Sequence, residues 1–163
     1  MQPTSSYIKA ISILHYALLA GQLFFGIIMF FLVWIKRENS FPLGNISQQM
    51  LIARIVLAAL AYLAGNMLFK KKLENINEGS NPATKKLDEY RAANITRWAV
   101  MEFAALFCII IFFVTGNYSI MIVAVVMILL FFTTRPSAQK TVADLGISLN
   151  DLDDSGNDGN KYA

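Results

Sequence analysis

Charge is scarce in this chain. Asp, Glu, Lys and Arg together make up 15% of its 163 residues, against about 25% in an ordinary soluble domain. A soluble domain of this size has to cover itself with more polar surface than that. Cysteine occurs once, as Cys108 inside the run FAALFCIIIFFV, so an intramolecular disulfide and a thiolate metal cluster are both excluded. The single histidine, His15, leaves no multi-histidine metal centre and no bis-histidine haem. Nine glycines and four prolines are too few for a collagen-like or low-complexity chain. No phosphate-cradling glycine loop, nucleophile elbow or H-E-x-x-H helix occurs. The sequence therefore predicts no catalytic residue, no metal and no cofactor, and an enzyme is not expected.

What the chain has is hydrocarbon. Hydrophobic residues make up 56% of it, with twelve Phe and seven Met. They gather in four runs, about residues 11–35, 50–69, 98–115 and 118–133. A membrane-crossing helix needs ~20 apolar residues; the first two runs meet this alone, the last two with their flanks. Thr115-Gly116-Asn117-Tyr118 is a tight polar turn, which makes the last two runs antiparallel neighbours. The first run is longer than the 7–15 apolar residues of a signal peptide, so it is expected to be retained. The predicted fold is all-α: an integral membrane bundle of four transmembrane helices over residues 1–135, arranged as two helical hairpins.

Lys and Arg set the expected direction. Lys9, the segment between runs two and three (Lys70, Lys71, Lys72, Lys85, Lys86, Arg91, Arg97) and the tail (Arg135, Lys140, Lys161) fall on one side. Lys36, Arg37 and Arg54 fall on the other. Positive charge accumulates on the cytoplasmic face, so both termini are expected there. The net charge of +3 reads as topology, and no nucleic-acid partner is expected. The intervening segment is expected to be helical, broken at Gly79-Ser80-Asn81-Pro82 with Asn81 as N-cap. Residues 136–150 should carry a short cytoplasmic amphipathic helix ended by Gly146. Residues 151–163, rich in Asp, Asn and Gly, should form a disordered acidic tail.

Runs one and three match without gaps at an offset of 82, with Phe25, Ile27, Ile28, Phe30 and Phe31 falling on Phe107, Ile109, Ile110, Phe112 and Phe113. A duplicated helical hairpin would produce such a match, and so would shared aromatic-rich composition.

Polar residues within the runs are the candidate site. Glu102 is the only acid in any run, and an ionisable group at depth calls for a partner or water. His15, Asn66 and Thr133 lie at comparable distance from the same end, and Gln22 lies near the middle of run one. These five form the candidate intramembrane polar cluster. Small residues mark where helices approach closely: Ala58, Ala61 and Gly65 of run two, predicted to meet the seam of run one that holds Gln22 and Gly26. Run four, made of large and β-branched residues, is expected to be the most exposed to lipid.

The stretch Thr134-Arg135-Pro136-Ser137-Ala138-Gln139-Lys140, followed by Ala143-Asp144-Leu145, is similar to the ending of many small four-span proteins of bacterial inner membranes. The resemblance covers the chain in outline and implies a multi-pass inner-membrane protein, but no activity. Four spans with one intramembrane Glu also resemble the doubled proteolipid ring subunits of rotary ATPases. The chain departs from that pattern: only Gly21, Gly26 and Gly65 lie well inside runs, and Glu102 is off the midplane in the third. Two roles are expected from these readings. One is a non-catalytic accessory or scaffold subunit, with the lipid bilayer and a membrane-protein partner or a second copy as partners. The other is a small proton- or ion-coupled transport component that uses Glu102 with His15.

Overall fold

The computed structural model describes residues 6–35 and 48–152. They form five helices: α1 Ser6–Ile35, α2 Gln48–Glu78, α3 Ala83–Thr115, α4 Tyr118–Thr133 and α5 Ala138–Leu145. No strand occurs among the described residues. Two helices, α1 and α3, are long and apolar enough to cross a membrane, and α4 with α5 makes a third candidate broken by a 73° bend. At 1.5 Å per residue the 33 residues of α3 extend roughly 50 Å, well beyond the ~30 Å of a bilayer core. Its first half holds all of its charged residues except Glu102, and its second half holds the apolar run.

The chain divides into two compact units. One comprises the described parts of Met1–Ala17, Asn66–Arg97 and Arg135–Ala163; the other comprises the described parts of Leu18–Gly65 and Trp98–Thr134. The second is the apolar bundle. Within it, α3 and α4 form an antiparallel hairpin, with Phe112 beside Tyr118 at one end and Trp98 beside Phe131 at the other. Gly116 turns the chain at φ 63°, where a side chain would be strained, and its N–H donates to Phe112 O at 2.7 Å. Asn117 then caps α4 by accepting from Ser119 N. Helix α1 runs parallel to α3. Phe30 stacks on Phe112 at 6.3 Å and 17°, the same pair that the offset of 82 equates.

Helix α4 departs from expectation. It buries Ile120, Ala124, Met127, Ile128 and Phe131, and it touches α1 through Tyr118 on Phe30 and Met121 beside Gly26. The three- and four-residue spacing of those positions makes one ridge, and a ridge of large side chains fills a seam as well as small ones do. Helix α1 is the more exposed: 11% of its most apolar window is buried, against 39% for α3. Gly26 also lies elsewhere than predicted. Its nearest neighbours are Ile109 Cδ1 and Met121 Cε, from α3 and α4 and not from α2.

The first unit has its own core of Ile8, Phe69, Ile76, Leu87, Tyr90, Ala93, Leu145 and Leu152. Helix α3 begins one residue later than the predicted cap implies, with the Pro82 carbonyl taking the first helical bond from Lys86 N. Helix α5 is capped by Ser137, whose side chain accepts from Lys140 N, and by Gly146 with φ 61°. Its Thr141 and Leu145 turn inward. The expected acidic tail lies outside the described residues from 153 onward, but its first two residues are helical. Ser148 N–H donates to the Asp151 carboxylate and Asp151 N–H to Ser148 Oγ, a capping box that starts one more turn. That turn buries Leu152 in the core. The Ser148 N–H and hydroxyl, both donating to the exposed Asp151 carboxylate, hold it below its usual range. Lys36, Arg37 and Lys161 lie outside the described residues.

Candidate functional site

The five residues of the predicted polar cluster are divided between the two units. His15 and Asn66 belong to the first; Gln22, Glu102 and Thr133 belong to the second. His15 is fully buried, edge-on to the Tyr16 ring at 5.7 Å. Asn66 is half-buried on α2. Glu102 is half-buried on α3, one turn from the fully buried Trp98. Thr133 does not serve a cluster: it is exposed, and its hydroxyl donates to Leu130 O of its own helix at 2.6 Å. A hydroxyl near a helix end commonly bonds back to the preceding turn, which uses its one donor locally.

Gln22 is the most unusual polar side chain of the bundle. It is fully buried, and neither atom of its amide has a hydrogen-bond partner among the described residues. An unsatisfied buried amide costs about 1–3 kcal/mol. Gln22→Leu keeps the bulk and removes both polar atoms, so it should stabilise the protein by about 1–2 kcal/mol. A higher midpoint of unfolding in detergent is the expected result; a lower one would mean the amide has a function in the fold.

Of the predicted packing residues, Ala58 and Gly65 are buried and Ala61 is partly buried. Ala58 and Ala59 lie in a groove between α2 and α4, with a volume of about 410 Å³. Its walls are Ile55, Tyr62 and Leu63 of α2 and Ile122, Val126 and Leu130 of α4, among others. Its side chains are apolar apart from the Tyr62 hydroxyl, and the Met127 thioether is the one other heteroatom among them. The groove has no charged side chain to hold a hard ion, but it can hold an apolar side chain or chain segment.

Sequence reasoning missed the polar lock of the first unit. Tyr90, 1% exposed, donates its phenolic O–H to Asp144 Oδ2 at 2.8 Å. Asn77 of α2 donates to Asp144 O at 2.9 Å, and Tyr7 of α1 donates to Leu87 O at 2.7 Å. Burial first, then the bond to the Asp144 carboxylate, holds the Tyr90 phenol well above its usual range. Residues 54 positions apart carry no local signal of pairing. The sequence signal that existed was the inward spacing of Leu87, Tyr90, Asn94 and Arg97 on α3. Arg97 lies over the Phe69 ring at 5.1 Å, and Arg135 over the Tyr16 ring at 5.7 Å.

Among the described residues no three His, Cys, Asp or Glu side chains come together to hold a metal. No protein-family model matches the chain, and no curated protein or solved structure matches it either. Any function has to follow from the chemistry of these surfaces.

Proposed function

We propose that this chain is a four-span protein of the bacterial inner membrane, with both termini cytoplasmic, that acts as a non-catalytic accessory or scaffold subunit. In this reading the α2–α4 groove seats a transmembrane helix of a partner membrane protein. The apolar groove carries the proposal. Within lipid, helix association gains little from the hydrophobic effect and depends on shape, close backbone approach and van der Waals contact. Alanines at the floor and larger residues at the walls provide that shape over about two helical turns of each helix. Exposed Ile52, Val56 and Leu60 extend the apolar surface along α2, so a spanning helix has contact beyond the groove itself. Four spans follow from adding the run at residues 50–69, on α2, to the apolar helices α1, α3 and α4.

Ala59→Trp fills the groove without changing the α3–α4 hairpin. The protein purified in mild detergent should lose its bound membrane partner on this change and keep its helical content. Ala20→Trp, at an exposed position of α1, should keep the partner. Retention of the partner by Ala59→Trp would remove the groove from the proposal. Loss of a second copy of this chain, in place of a different protein, would identify the groove as a homo-oligomer contact.

A further inference from the structure

The first unit carries its charges in layers. Two cation–π pairs mark one level of it: Arg97 over Phe69 and Arg135 over Tyr16. Aromatic rings paired with basic heads are the side chains that settle at a membrane–water interface. Counting outward from that level at 1.5 Å per residue, Lys70, Lys71 and Lys72 of α2 lie within roughly 5 Å, and Lys9 and Arg91 at roughly 10 Å. Glu74 is the one acid on α1, α2 or α3 in this inner layer, and Asp144 of α5, at the level of Tyr90, is engaged by the Tyr90 hydroxyl. Roughly 12–18 Å out, Lys85 and Lys86 are outnumbered by Glu78, Asp88 and Glu89. Basic charge is therefore concentrated in the inner layer, and cancelled in the outer one.

The inner cations are also available. Lys9, Lys70, Lys71 and Arg91 are exposed, and none makes an ion pair with a described residue, although Glu74, Glu78, Asp88 and Glu89 share their unit. Arg135 is exposed as well, with its guanidinium over the Tyr16 ring. A cytosolic acidic partner would meet the outer layer first, where acids prevail. A surface that fits the inner layer has to be planar, anionic and located at the aromatic level.

We propose that this layer binds the phosphate headgroups of anionic phospholipids in the adjoining leaflet, through Lys70, Lys71 and Arg135 above all. Lys supplies point charges to phosphate, and Arg a planar fork that donates to two phosphate oxygens. Basic residues beside an anionic surface contribute additively and lose strength with salt. None of these basic residues lines the α2–α4 groove, and Ala59→Trp should leave lipid binding intact.

The full chain, reconstituted in phosphatidylcholine bilayers with and without phosphatidylglycerol, tests this through the lipid that stays bound on re-extraction. Wild type should retain phosphatidylglycerol preferentially, and added salt should weaken the preference. Lys70→Gln, Lys71→Gln and Arg135→Gln combined should reduce it by up to about fivefold per charge removed. The charge-keeping set Lys70→Arg, Lys71→Arg and Arg135→Lys should retain most of it, which separates charge from folding. Lys85→Gln with Lys86→Gln, in the outer layer, should have little effect. An equal loss from the outer pair, an unchanged preference in the glutamine triple, or competition by inorganic phosphate as effective as the lipid would each overturn the proposal.

Discussion

Tyr90→Ala should destabilise the protein by about 3–5 kcal/mol, the range for deleting a fully buried aromatic side chain. The ring is 1% exposed and packs edge-on to Phe69 at 5.7 Å, in a core outside the bundle's own. There the transfer free energy of the lost carbon adds to the cavity left behind. The truncation also strips the Asp144 carboxylate of the Tyr90 donor, so α5 loses that hydrogen bond to α3. Tyr90→Phe keeps the ring and removes only the bond to the carboxylate, which should cost about 1.5–3 kcal/mol. The two variants, compared by denaturant unfolding in one detergent, separate packing from hydrogen bonding. Equal losses would show that the hydrogen bond carries the whole effect.

The same residue sets an alkaline limit. Its folded pKa is raised above the unfolded value of about 10. The stability linked to it is thus complete below pH ~10 and lost as pH climbs through the folded value. Tyr7, also raised mainly by burial and then by Tyr90's charge, adds to the same slope. Wild type should keep its unfolding midpoint up to about pH 10 and lose it beyond. Tyr90→Phe should show a shallower decline. An identical alkaline slope in the variant would exclude Tyr90 as its source.

Gly26→Leu should cost about 1–3 kcal/mol by overpacking. A Cβ at this position would lie 3.5 Å from Ile109 Cδ1 and 3.7 Å from Met121 Cε, so alanine makes ordinary contact and leucine has no room. Gly26→Ala should be neutral or gain up to about 1 kcal/mol from helix propensity. At Gly21, five residues earlier on α1, a Cβ would meet nothing within 4 Å. Gly21→Leu should therefore be tolerated. Unfolding midpoints of the three variants in one detergent check the order, and a Gly21→Leu loss as large as that of Gly26→Leu would refute it.

Element type and rough extent were legible because they depend on local chemistry. Apolar runs flanked by basic residues form long helices whatever they pack against. The polar turn at Thr115-Gly116-Asn117, the cap at Ser137 and the stop at Gly146 act within a few residues of themselves. Partner choice was not legible. A small residue marks a place where something can come close, but Gly26 gives no indication that α3 and α4 are the helices that do. Thr133 had the right depth for a polar cluster, yet its own helix offered a nearer acceptor at Leu130.

The sequence by itself determined that the chain is all-helical, rich in long apolar runs and asymmetric in basic charge, since composition and spacing along the chain fix these properties. Only the tertiary structure decided that α4 is packed and not peripheral, that Tyr90 locks Asp144, and that α2 and α4 leave an apolar groove between them. Each of these depends on which faces meet across tens of residues. That outcome comes from packing all the helices at once, and no window of sequence contains it.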